Sequence, residues 1–254
     1  MRPLALVLAC PLVLAAEPAK PPGNPLIPGT SWQVHDLQRP KPAKVQPGKA
    51  VCQATPAPRG AVILFDGTST DAWTPRGGKK PQVWPIKDGV MVATANDIRT
   101  KQALGSGRYH VEWRIPAGRK VSGQSGGNSG FFLLERYEVQ ILESFGNETY
   151  ADGQAAALYG QYPPEANASL PQGEWQSYDI DFQAPEFGEG GKLTKPAVIT
   201  VVHNGLTVHD RREMMGASTH RRVATYSAHP ASAPLALQFH GDPIEFRNIW
   251  HLPR

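Results

Sequence analysis

From Ala61 onward the chain is built of short runs in which apolar residues alternate with polar ones or stand in brief clusters, and Gly, Pro and Asn separate the runs. The runs cover residues 61–65, 89–93, 109–115, 129–134, 137–142, 177–182, 197–203, 206–209, 235–240 and 244–249. They are too short for helices and carry the period of strands. No segment holds a 3.6-residue period over three turns, so the fold class is all-β. Strands in such number and with such punctuation predict a two-sheet sandwich or jelly roll. The sequence His203-Asn-Gly-Leu206 between two runs predicts a tight hairpin, because Asn-Gly accepts the positive φ values such a turn needs. Longer connections at 161–173, 184–196 and 214–234 predict a rim over one sheet face.

The N-terminus follows a different rule. Met1-Arg2, an apolar stretch over 4–16 and the polar turn at Glu17 have the organisation of a secretory signal peptide, assigned to 1–16. The stretch is too short to cross a bilayer and no second one nears the ~20 apolar residues of a transmembrane helix. A periplasmic or secreted protein is therefore expected, with no transmembrane segment. Cys10 after Leu8-Ala9 has a faint lipoprotein character, but the apolar region before it is short, which disfavours a lipid anchor. Loss of Cys10 with the leader leaves Cys52 alone, so no intramolecular disulfide is expected and the core must suffice. Residues 17–59 form a Pro-rich linker or strap that holds ten of the 25 prolines. Trp32 within it is expected to dock on the domain. Residues 60–254 then form one domain. The net charge of +4 is carried by scattered Lys and Arg, which argues against a nucleic-acid partner.

The run Tyr137-Glu-Val-Gln-Ile-Leu142 carries the densest polar signal. Period 2 puts Tyr137, Val139 and Ile141 on the core face and Glu138 and Gln140 on the other. Glu143 would fall on the core side, where an unpaired carboxylate is costly, so a bulge returning it to the polar face is expected. The same period groups Gln238 with His240. A solvated strand face is the plain alternative for the first group, and a structural sheet-edge histidine for His240.

Several ordered segments resemble the 3-keto-disaccharide hydrolase domain family: Asn128-Ser-Gly, Arg136-Tyr-Glu-Val-Gln-Ile-Leu, Thr149-Tyr-Ala-Asp-Gly-Gln-Ala-Ala-Ala-Leu-Tyr-Gly160, Gly173-Glu-Trp-Gln-Ser-Tyr178, His203-Asn-Gly and Phe246-Arg-Asn-Ile-Trp250. The resemblance runs from about Val62 onward, and the strap around Trp32-Gln-Val-His-Asp36 is similar to that of an exported branch. It implies a concanavalin A-like jelly roll, a carbohydrate substrate on the concave face, and cleavage of glycosides oxidised at C3 by base-assisted elimination or hydrolysis. Such chemistry needs a base, a proton donor and a group that holds the enolate. His240 is the expected base, with Glu138 or Glu143 as the acid. Gln140, Gln238, Asn128, Tyr159, Trp175 and Arg247 are candidate substrate-binding residues. Arg247 has a structural alternative, an ion network with Glu112 and Arg114. The chain departs from the family at Phe239, where a carboxylate is expected, and at Glu143, where Asp is expected. No cofactor is predicted. A divalent metal, Ca²⁺ or a transition metal, stays open, since the His residues at 203, 209, 220 and 229 have no recognised ligand spacing. The alternative function is a non-catalytic carbohydrate-binding module with aromatic platforms at Tyr159, Tyr162 and Trp175.

Overall fold

The computed structural model describes residues 23–47, 55–77 and 82–254. The expected signal segment 1–16 and both cysteines lie outside the described residues. In chain order the strands are β1 Val62–Phe65, β2 Trp73–Arg76, β3 Ile86–Lys87, β4 Val90–Val92, β5 Asp97–Thr100, β6 Gly107–Arg114, β7 Ser129–Leu133 and β8 Tyr137–Ile141. They continue with β9 Gln176–Gln183, β10 Glu186–Phe187, β11 Leu193–Lys195, β12 Val198–His203, β13 Leu206–Glu213, β14 Ala236–Leu237 and β15 Glu245–Pro253.

Two antiparallel sheets make the sandwich. The larger runs β13-β12-β9-β6-β15-β4-β3, with β1 also bonded to β15, and the smaller runs β2-β5-β14-β7-β8. Strand β15 follows every other strand in sequence yet sits inside the larger sheet, paired with β6, β4 and β1. Tyr109, Val111 and Trp113 of β6 and Tyr178, Ile180 and Phe182 of β9 are sealed against Phe131 and Leu133 of β7 and Tyr137, Val139 and Ile141 of β8. This burial of aromatic and branched residues is the main force holding the sheets together. The residues between them point outward, His110 and Glu112 on one sheet and Glu138 and Gln140 on the other.

The Asn204-Gly205 turn joins β12 to β13 with φ values of 49° and 77°, as Asn-Gly predicts. The β7–β8 hairpin makes the same left-handed pair with Leu134 (φ 52°) and Glu135 (φ 56°), without glycine. Burial of the Leu134 side chain, 1% exposed, offsets part of that strain.

Residues 235–240 were expected as one strand, but β14 covers Ala236–Leu237 alone. One further ladder bond runs from Gln238 N–H to Gly130 O (3.1 Å), and then Asp97 Oδ1 captures the Phe239 N–H (2.9 Å). The strap lies along the β8–β9 connection. His35 N–H donates to Asp152 Oδ2 (3.0 Å), Arg39 Nη1 to the Gln161 carbonyl (3.2 Å), Val45 N–H to the Asn167 carbonyl (2.9 Å) and Asn167 N–H to the Ala43 carbonyl (2.9 Å). Val34, His35, Asp36 and Arg39 are buried while Trp32 is only half-buried, so the strap is held chiefly by this other group. Of the three long connections, 161–173 receives the strap, 184–196 folds into the β10–β11 hairpin, and 214–234 arches over the smaller sheet.

Candidate active site

On the outer face of the smaller sheet, the β7–β8 register sets Gly130 opposite Gln140 and Phe132 opposite Glu138. Strand β14 and its continuation bring Gln238 alongside. These residues floor a cavity of about 410 Å³, a size suited to a small molecule. Gln124, Ser125 and Asn128 wall one part of it, Tyr150 and Tyr159 another, and Ser218, His220 and His240 reach over it.

Glu138 is 5% exposed. Its carboxyl has no salt-bridge partner among the described residues, and its pKa is pushed up to about 8 by burial, with Asp97 adding to the shift. At neutral pH it therefore carries its proton, the state required of an acid. Gly130 makes room for it, since a Cβ there would stand 2.5 Å from Glu138 Oε1 and 2.4 Å from the Phe132 ring. Gln140 Nε2 donates to Gln124 Oε1 (3.1 Å), and its buried Oε1 has no partner among the described residues. A buried acceptor left open in a cavity wall is free to bind a ligand hydroxyl.

The overhanging groups form a chain of contacts. Tyr150 and Tyr159 hydroxyls lie 3.1 Å apart, and Tyr159 Oη lies 3.0 Å from His220 Nδ1. Partial desolvation lowers the His220 pKa, and His35, Arg221 and His240 add to the effect, so the imidazole is neutral near pH 7. Behind this wall the strap's His35 stacks on Tyr150 with centroids 4.1 Å apart.

The cavity thus brings together Glu138, Gln140, Asn128, Tyr159, Gln238 and His240 of the residues singled out in the sequence. Glu143, Trp175 and Arg247 are not among its lining residues. No bulge returns Glu143 to the polar face: β8 ends at Ile141, and Glu143 Oε1 accepts the N–H groups of Phe145 (3.0 Å) and Gly146 (2.9 Å) to shape the following turn. Arg247 belongs to the opposite sheet, where its Nε donates to Glu112 Oε2 (2.6 Å), as in its structural alternative, but Arg114 stands outside that network and pairs with Glu245. Trp175 is clamped there between the guanidinium groups of Arg247 (4.1 Å) and Arg114 (4.5 Å). Tyr162 lies under Arg212.

Tyr150, Gln124, Ser125, Ser218 and Phe132 carry no role in the sequence reading, and His220 entered it only as a possible metal ligand. All but Phe132 lie in connections, where no strand period marks a direction. His203 and His209 are core residues, held neutral by burial with pKa values near 3 and 4. No group of three or more His, Cys, Asp or Glu among the described residues is arranged to hold a metal ion.

A second buried carboxylate lies beneath the outer face of the larger sheet. Glu112 accepts from Arg247, from Asn248 Nδ2 (2.8 Å) and from the Thr55 N–H (3.2 Å), and His110 Nε2 is 3.4 Å away. Burial opposes its ionisation, but the hydrogen bonds from His110, Asn248 and Arg247 outweigh it and hold the pKa at about 2.

The profile of the 3-keto-alpha-glucoside-1,2-lyase-like domain matches residues 60–251. A crystal structure of a candidate glycosyl hydrolase from Parabacteroides distasonis is 36% identical in sequence, with a TM-score of 0.75 over 85% of this chain and 93% of that one. Two further structures from the same organism, also described as candidate glycosyl hydrolases, share the fold. One has 19% identity and a TM-score of 0.53 over 77% of this chain and 94% of that one, and the other 22% and 0.50 over 72% and 99%. No curated protein matches the chain.

Proposed function

The chain belongs to the 3-keto-alpha-glucoside-1,2-lyase-like domain family, and from that membership we propose that it cleaves the glycosidic bond of glycosides carrying a ketone at C3. The observation that carries the proposal is the buried, uncompensated Glu138, protonated at neutral pH, in one cavity with the imidazoles of His220 and His240.

A C3 ketone acidifies the hydrogen on C2. His240 takes that proton, the C2–H electrons form the C1=C2 bond, and the C1–O bond breaks. The leaving oxygen receives the proton of Glu138, giving an alcohol, an unsaturated keto sugar and a Glu138 carboxylate beside an imidazolium. Water adding back across C1=C2 completes a net hydrolysis and restores both groups. The amides of Gln140, Gln238 and Asn128 are the candidates to hold the ring hydroxyls and the enolate oxygen. His220, neutral and bonded to Tyr159, keeps a second imidazole beside the reacting ring.

The test is incubation of the purified protein with 3-keto glucosides and their unoxidised parents, with and without chelator. Loss of the keto substrates alone is expected, and a His240→Gln variant should lose most of that activity. Binding without turnover of any substrate would instead make the domain a carbohydrate-binding module. Action outside the cytoplasm is part of the proposal, on the ground of the apolar leader 1–16. N-terminal sequencing of the protein from an expressing bacterium should find that leader removed.

A further inference from the structure

The cavity does not end at its aromatic wall. Gln124, Tyr150 and His220 also line a second cavity of about 450 Å³, whose remaining wall includes Asn24, His35 and Leu37 of the strap. The two spaces therefore share one partition. Leu37, 56% exposed, offers its side chain to this second space, and the lining is predominantly apolar despite Arg221 and Glu148 at its edge.

The strap segment that builds this wall is held in one conformation. His35 has a left-handed backbone (φ 61°), uncommon for a residue with a side chain. Its N–H is fixed by Asp152, whose side chain is fully buried, and its ring is stacked on Tyr150. Asn24 Nδ2 ties the strap to itself through the Val34 carbonyl (2.9 Å). A wall so fixed is prepared for a ligand before it arrives.

We propose that this strap-walled cavity is the subsite for the leaving group, and that it selects glycosides whose C1 substituent is an apolar or aromatic aglycone. The inference rests on the function proposed above. With the keto ring over Glu138, the bulky substituent left to accommodate on a simple glycoside is the one on C1. A substituent that crosses the partition formed by Gln124, Tyr150 and His220 enters the second cavity. The space beyond offers a leucine and the rings of His35, Tyr150 and His220 in a mostly apolar lining surface, which suits an aryl group.

The experiment compares the phenyl and methyl 3-keto-glucosides, and their unoxidised parents, on the full chain and on Leu37→Asp. Steady-state kinetics are paired with calorimetric binding. Leu37 is exposed, so the substitution leaves the fold intact, which circular dichroism checks. The phenyl compound is expected to have the lower KM by about tenfold or more, the effect of burying a ring. Leu37→Asp should remove most of that preference while leaving the methyl compound within about twofold, since Leu37 lines the second cavity and not the first. Equal loss on both compounds, or no phenyl preference in the parent protein, overturns the subsite and leaves the reaction standing. Leu37-dependent phenyl binding with no turnover would uphold the subsite and overturn the reaction. Absence of both binding and turnover overturns the two together.

Discussion

Glu138 and Glu112 are the same residue type, each nearly sealed from water on an interior strand position, and they sit in opposite charge states. Glu112 is met by Arg247, Asn248, His110 and a backbone N–H, and stays ionised with a pKa of about 2. Glu138 is met by no cation among the described residues and keeps its proton up to about pH 8. Burial alone does not separate a structural carboxylate from a reactive one. What separates them is whether the fold supplies the compensating donors. A carboxyl left uncompensated costs stability, and that cost marks the face where a ligand can complete the set.

Removing the uncompensated carboxyl tests this most severely. Glu138→Gln keeps shape and hydrogen bonding but has no acidic proton, so kcat/KM on a 3-keto-glycoside should fall by about 10²- to 10⁴-fold. A change within threefold would show that Glu138 is not the donor. Glu112→Ala should do the reverse, costing roughly 3–5 kcal/mol in urea unfolding, because it removes the carboxylate that Arg247, Asn248 and His110 share.

The two sites should also answer pH with opposite signs. Glu138 has its folded pKa raised from 4.5 to about 8, so the native state holds a proton there that the unfolded state has released, and stability from this group falls as pH rises through that window. Glu138→Gln should therefore gain on the parent protein from pH 5 to pH 8, by on the order of a few kcal/mol. Glu112 has its folded pKa depressed, so its contribution is fully present above pH 4.5 and is lost as pH falls toward 2. Unfolding midpoints measured across pH 3–9 check both. The smallest effect is expected at Gly130→Ala, about 1 kcal/mol, because the Phe132 ring and the Glu138 tip can yield. The same variant should lose more activity than stability, since the group that yields is the acid.

The alternation in β8 made Glu138 and Gln140 legible, because a strand's period fixes direction as well as position. The same reasoning failed one step further on, at Glu143, where the strand had already ended and the side chain serves a turn. Strand β2 escaped notice because Pro75 interrupts it, and it survives because it is an edge strand where the missing N–H is tolerated. His220 and Tyr150 lie in connections without periodicity. His35 meets Asp152 across 117 positions of sequence, a distance over which no local pattern carries information. Phe239 stands where a carboxylate was expected, yet its N–H is bound by the carboxylate of Asp97 from the adjoining strand. Neighbourhood in space supplied what neighbourhood in sequence lacked.

The position of β15 has a consequence for how the molecule is made. It is synthesised well after β6, β4 and β1, yet all three need it as a partner. Until it emerges, the larger sheet is three pieces, β13-β12-β9-β6, β4-β3 and β1 alone, and none can seal the core. Assembly therefore waits for synthesis to pass residue 253, and until then the nascent chain lacks its complete fold.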